Sequence, residues 1–284
     1  METTNVIKIN LQIAVKERIQ VTGNLTEVAR SLGISPAQLM NVRDGNWDKV
    51  SKTMINTLAA KLGVKKDWVT AETADYRRIV GICMHSQKKG LSKAIAFDPG
   101  CGKTYALKDY ASKSPNVYYI ECDEYWTKKV FLEQLRKAMG LTEPGLSVHQ
   151  MVMEIVECLN AKDLPLVIID EADKLKDGVL NFYKTLYNKT NCGFVLCGAP
   201  FFQKHILKGV RLQKQAFQEI YSRMGSEFLP LSGVTPKAIK LICQVNEVGD
   251  EESIARVINA SKNDLRRVKS EIEQIKTERL TNAA

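Results

Sequence analysis

No stretch of this 284-residue chain approaches the roughly 18 consecutive apolar residues of a membrane-crossing helix. No basic segment followed by an apolar one opens it either, so neither a secretory leader nor a membrane partner is expected, and a cytoplasmic location is. The seven cysteines (Cys83, Cys101, Cys122, Cys158, Cys192, Cys197, Cys243) include no C-x-x-C pair and are odd in number. That pattern excludes a zinc knuckle and a disulfide framework, and leaves reduced, mostly buried small hydrophobes. The three histidines, His85, His149 and His205, lie too far apart in sequence for a local metal site. What is present is a 44% hydrophobic fraction, enough for a real core, and a length that accommodates two domains. A formal charge of +9 points to an anionic partner, with nucleic acid favoured over a membrane surface.

The most informative segment is Pro99-Gly100-Cys101-Gly102-Lys103-Thr104. A loop that wraps phosphate with backbone N–H groups needs glycines, because side chains block close approach and some positions require positive φ. Lys103 then reaches the β- and γ-phosphates of ATP, and the Thr104 hydroxyl takes Mg²⁺ while opening, with Tyr105, a helix whose N-terminus favours an anion. The short apolar run Ala94 to Phe97 supplies the strand that feeds such a loop. Phe97 stands where the full pattern has its first glycine, so its ring must turn into the core or cover the nucleotide.

Leu164 to Ile169, interrupted only by Pro165, reads as a strand buried on both faces of a parallel sheet. Asp170 and Glu171 follow at its C-terminal end, where open α/β sheets bind ligands. Asp170 is expected to hold Mg²⁺ through water, and Glu171 to polarise the attacking water. The plainer reading is that both acids cap the next helix.

Residues 1–65 carry a separate pattern. Leu25, Val28, Ala29, Leu32, Gly33, Ile34, Leu39 and Val42 fill the slots of a helix-turn-helix, with Ala29 permitting close approach and Gly33 making the turn. Ser35 reads as the N-cap and Pro36 as the first residue of the second helix, whose outward side includes Gln38, Asn41 and Arg43. Ile9 to Val21 and Val50 to Leu62 complete a small helical bundle. Two uses stay open: contacting DNA, with Gln38 and Asn41 at base edges and Arg43 at phosphate, or docking a protein. Asp44 and Asp48 weigh against the first.

A linker is placed at 66–74, a core at 75–232 and a small helical lid at 233–284. Within the core, Tyr76 to Lys89, Lys128 to Met139, Ser147 to Leu159 and Val179 to Tyr187 read as helices. They alternate with strands at 94–97, 117–120, 164–169 and 193–197, so the expected fold is α/β, a doubly wound parallel sheet.

At this point the chain resembles the AAA+ ATPases and, among them, the MuB-like target-DNA activators of transposition. The resemblance rests on the order of domains, the P-G-x-G-K-T loop, I-I-D-E-A-D at 168–173, V-L-C-G at 195–198, Y-S-R at 221–223 and N-D-L-R at 263–266. It implies an ATPase that assembles through ATP into filaments on double-stranded DNA and stimulates a DDE transposase. It also implies that Arg223 is an arginine finger entering a neighbouring copy's site, and that Arg266 is the lid's sensor, with Arg267 one position away. The branch carries a polar first sensor after the strand at 193–198, where this chain has Ala199-Pro200. DNA is expected at Thr127, Lys128, Lys129 and Ser147, through sequence-independent and salt-sensitive phosphate contacts, with Lys88 and Lys89 adding charge unless they are, as exposed lysines usually are, only solvated surface. Two other uses of the same residues stay open: a helicase-loader or initiator-like ATPase, and a transcription regulator switched by ATP.

Overall fold

The computed structural model describes residues 2–62 and 68–282. The described residues divide into two compact units, one formed by residues up to 70 with 245–248 and those from 273 on, the other by 71–244 and 249–272. Residues 66 and 67 of the expected linker lie outside the described residues, as do 63–65 of the expected first domain.

The first unit contains α1 (Glu2–Thr22), α2 (Leu25–Ser31), α3 (Pro36–Asp44), a single 3-10 turn at Trp47–Lys49 and α4 (Lys52–Lys61). Its centre is Leu11, Val15, Val28, Leu39, Val42 and Leu58, with Ala29 fully buried where α2 and α3 converge. Asn24 caps α2 by accepting from the N–H groups of Thr26 and Glu27. Gly33, at φ +62°, lets the chain double back so that Ile34 N donates to Ala29 O at 3.1 Å. The Lys61 ammonium donates to the Leu32 carbonyl at 2.7 Å, supplying a donor to the carbonyl at the end of α2. Ser35 and Gln38 form a reciprocal capping box at the start of α3, with Pro36 in the first turn. The helix expected from Val50 starts at Lys52 instead, because Ser51 stands ahead of it and its hydroxyl accepts from Met54 N.

The second unit runs α5 (Ala74–Lys89), β1 (Ser92–Ala96), α6 (Lys103–Lys113), β2 (Val117–Glu121), α7 (Lys128–Ala138), α8 (Val148–Asn160) and β3 (Leu166–Asp170). After a 3-10 turn at Ala172–Lys174 come α9 (Asp177–Lys189), β4 (Gly193–Gly198), α10 (Pro200–Arg211) and α11 (Gln215–Arg223). Three more helices follow: α12 (Pro236–Val245), α13 (Glu251–Ser261) and α14 (Leu265–Asn282), the last crossing from one unit's residues to the other's.

The sheet is parallel, in the order β1-β4-β3-β2. Every residue of β3 is buried, and its side chains alternate between two apolar layers: Val167 and Ile169 with the cluster under α7 to α11, Leu166 and Ile168 with the cluster under α5 and α6. That two-sided burial is why the run reads as unbroken in sequence. The strand nevertheless begins at Leu166 and not at Leu164. Leu164 takes the left-handed conformation at φ +46°, and Pro165, which lacks an N–H, gives only its carbonyl, to Gly193 N. Leu229 adds an isolated parallel bridge to Ile95 at the free edge of β1. Helices α10 and α11 occupy a stretch to which the sequence reading gave no element.

Candidate nucleotide-binding site

β1 delivers the chain to a loop that closes at the first turn of α6. Gly100 and Gly102 take φ +78° and +94°, a region that costs a residue with a Cβ about 1–2 kcal/mol. Gly102 heads α6 without a side-chain cap, and no acidic residue lies in the first turn, so the N–H groups there face outward with the positive end of the helix dipole. The Lys103 ammonium lies inside the loop, donating to the carbonyls of Phe97 at 2.7 Å and Asp98 at 2.8 Å. Phe97 itself packs into the apolar layer under α5 and α6 and against Gly233, so its ring has turned inward. Cys101 is buried, and burial raises its thiol pKa against the opposing charge of Lys103. It is not an activated thiolate.

The start of α14 rests on this loop. Leu265 N donates to Gly100 O at 2.8 Å, and a Cβ on Gly100 would stand 2.5 Å from the Asp264 carboxyl carbon. Asp264 in turn caps α14 by accepting from Arg266 N. Arg266 therefore belongs to the very turn that touches the loop, with its side chain exposed.

At the end of β3, Asp170 is buried and held from two sides: Oδ2 accepts from the Tyr119 hydroxyl and Oδ1 from Glu171 N, both at 2.9 Å. Burial, then the Asp170 charge, pushes the Tyr119 pKa far up, so the phenol stays a donor. Glu171 takes φ +55°, left-handed without being glycine, and its carboxylate has only a loose 3.8 Å approach from Lys174. Asp173 ties the next strand in, with Oδ1 accepting from Ala199 N at 2.9 Å.

The two halves meet across β4. The Cys197 thiol there is buried, and its pKa is raised first by burial and next by Asp170, while Lys103 acts against both. Residues 89–206 match the family model of an AAA domain. The fold is a parallel sheet flanked by helices, with a helical C-terminal part and an N-terminal helical unit that lie outside the matched residues. Among solved structures, Drosophila ORC bound to AT-rich DNA and Cdc6 is similar at 13% identity, covering 70% of this chain and 74% of that one, with a TM-score of 0.38. No curated protein matches.

The other expected site residues stand on other elements. Arg223 ends α11, its guanidinium donating to Asn188 Oδ1 at 2.7 Å and to Glu219 O at 2.8 Å. Thr127 and Ser147 are N-caps of α7 and α8, accepting from Val130 N and Gln150 N. Lys128 and Lys129 are exposed beside Thr127, Lys128 lying across Gly178 and Lys129 3.9 Å from Glu133. In the first unit, the Gln38 amide oxygen is committed to the capping box and Arg43 makes a two-pronged pair with Asp44, at 2.7 and 2.9 Å; Asn41 is half-buried. Tyr119 and Asp173 were not anticipated. Tyr119 shares a face of β2 with Glu121, which pairs with Asp170, but only knowledge that β2 lies beside β3 would have drawn attention to it.

The chain's residues fit Mg²⁺ and ATP. The uncapped helix start, the Lys103 ammonium with exchangeable carbonyl partners, Thr104 in the first turn and a buried, hydrogen-bonded Asp170 are the groups that would hold them. Among the described residues no helix is long and apolar enough to cross a membrane.

Proposed function

We propose that this protein is an ATP-dependent ATPase that binds duplex DNA without sequence preference, assembles on it into filaments and recruits or stimulates a DDE transposase. The observation that carries the nucleotide part is geometric: an uncapped helix start with the Lys103 ammonium inside its loop follows β1, and a buried, hydrogen-bonded Asp170 ends β3, with only β4 between the two strands. When bound, Mg²⁺ and ATP supply a γ-phosphoryl group open to attack by water. The remaining work falls to side chains. Lys103 neutralises phosphate charge, Thr104 and Asp170 hold the cation, and Glu171 accepts a proton at its carboxylate from the water it orients.

Arg223 is the finger that joins two copies. It trades Asn188 and its own helix carbonyl for a neighbour's phosphate, so hydrolysis requires contact between subunits. Arg266, in the turn that touches the loop, reports the nucleotide to the C-terminal helices. DNA runs along Thr127, Lys128, Lys129 and Ser147. The transposase role is supported by the order of modules and by the short motifs around Asp170, Gly198, Arg223 and Arg266.

Negative-stain microscopy with ATP and duplex DNA tests the reading. Wild-type protein should give long assemblies, Lys103→Ala none, and Glu171→Gln assemblies that persist because turnover is slowed. A wild-type protein that stays monomeric with both ligands overturns it.

A further inference from the structure

The opposite end of the sheet carries a cavity of about 530 Å³. Its walls are residues within 87–90, 159–165 and 187–191, three segments that each lead into a strand: β1, β3 and β4. Those strands are neighbours in the sheet, so the cavity lies at their N-terminal ends, about 16 Å of strand away from the phosphate loop.

Lys88, Lys89 and Lys162 line it, all exposed, and none has an ion pair among those the structure shows. No carboxylate lines it. Just outside, Asp163 adjoins Lys162 and Lys189 adjoins Thr190, one charge of each sign. The ordinary role of such lysines is to answer helix dipoles, since α5, α8 and α9 all end here. Each helix end carries roughly −0.5 of a charge, about −1.5 in all, so three lysines leave a positive surplus.

The walls are cross-linked. Gln87 Nε2 donates to the carbonyls of Pro115 and Leu164, its Oε1 accepts from the Tyr110 hydroxyl, and Asn160 Nδ2 donates to Lys189 O. The amides thus fix the frame and the lysines remain its unpaired groups. No arginine lines the cavity, which disfavours a carboxylate partner needing paired geometry; lysines grip phosphates as point charges on flexible stems.

We infer that this cavity takes a phosphodiester stretch of a DNA backbone, a second nucleic-acid contact that works without nucleotide. It shares only its DNA partner with the proposed function and uses the other end of the sheet.

The test uses the full chain without nucleotide and a labelled duplex, with anisotropy read across a salt series. The Lys88→Ala, Lys89→Ala, Lys162→Ala variant should bind about tenfold more weakly at moderate salt, with the slope of log K against log salt reduced by about 2–3, near 0.9 per lost contact. A matched variant at the exposed Lys204, Lys208 and Lys237 should change the slope less. Equal changes in the two variants overturn the inference, as does a wild type with no nucleotide-free binding. Inorganic pyrophosphate that occupies the site without displacing duplex also overturns it, in favour of a small-anion pocket. ATP-dependent assembly is scored separately by microscopy, so its absence counts against the proposed function alone.

Discussion

The Tyr119 hydroxyl is the group that decides how Asp170 is presented. It donates to Oδ2 of a buried carboxylate whose Oδ1 accepts from Glu171 N. A hydrogen bond to a charged group contributes about 1.5–3 kcal/mol, and a buried acceptor that loses one rearranges to find another. Tyr119→Phe keeps the ring and its packing and removes only that donor. The expected outcome is an unchanged fold and nucleotide affinity in the absence of metal, with about three- to tenfold more Mg²⁺ needed for tight binding of a fluorescent ATP analogue. An identical Mg²⁺ dependence in the variant would show that the phenol merely fills space. Lys103 and Asp170 were legible at this scale because their chemistry needs fixed neighbours in sequence. Tyr119 was not, because its role depends on which strand lies beside β2.

Among the elements, the start of α3 is the clearest case of local sequence dictating structure. Ser35 and Gln38 satisfy each other's backbone donors, and Pro36 presets the first turn. Ser35→Ala removes the cap, at a cost of about 1 kcal/mol. Amide hydrogen exchange over residues 36–44 should therefore speed up about fivefold, while α8, with the same box at Ser147 and Gln150, keeps its wild-type protection. Unchanged exchange in α3 would mean that burial of Leu39 and Val42 alone holds the helix. The same commitments limit α3 on DNA, since Gln38, expected at a base edge, and Arg43, expected at phosphate, already have partners. Helices α10 and α11 escaped the sequence reading, although Pro200 marks where the first of them starts.

For the molecule as a whole, the buried thiols set an alkaline limit. Burial pushes Cys83 up to about 12 and Cys243 to about 11, from an ordinary 9.0. The folded chain keeps these thiols protonated where the unfolded chain has begun to release protons. Their contribution is therefore intact below pH 9 and is lost as pH rises through 11 to 12. Denaturant midpoints measured at pH 8 and pH 10.5 should fall, and Cys83→Ala should flatten that fall. An equally steep fall in the variant would assign the alkaline limb to the tyrosines instead.

By itself the sequence determined most of the elements and which residues stand in the phosphate-type loop and at the acidic strand end. Phosphate loops, N-caps, fully buried strands and helix-turn-helix turns are written in residues a few positions apart, where backbone geometry leaves little choice. Tertiary structure alone decided what the groups do to one another: that β4 stands between the loop and the acidic strand, that Asp264 rests on Gly100, that Phe97 turns inward, and that Lys162 joins Lys88 and Lys89 from a distant segment at one cavity. Those facts come from strand order and helix packing, which bring together residues far apart in the chain and leave no short-range trace in it.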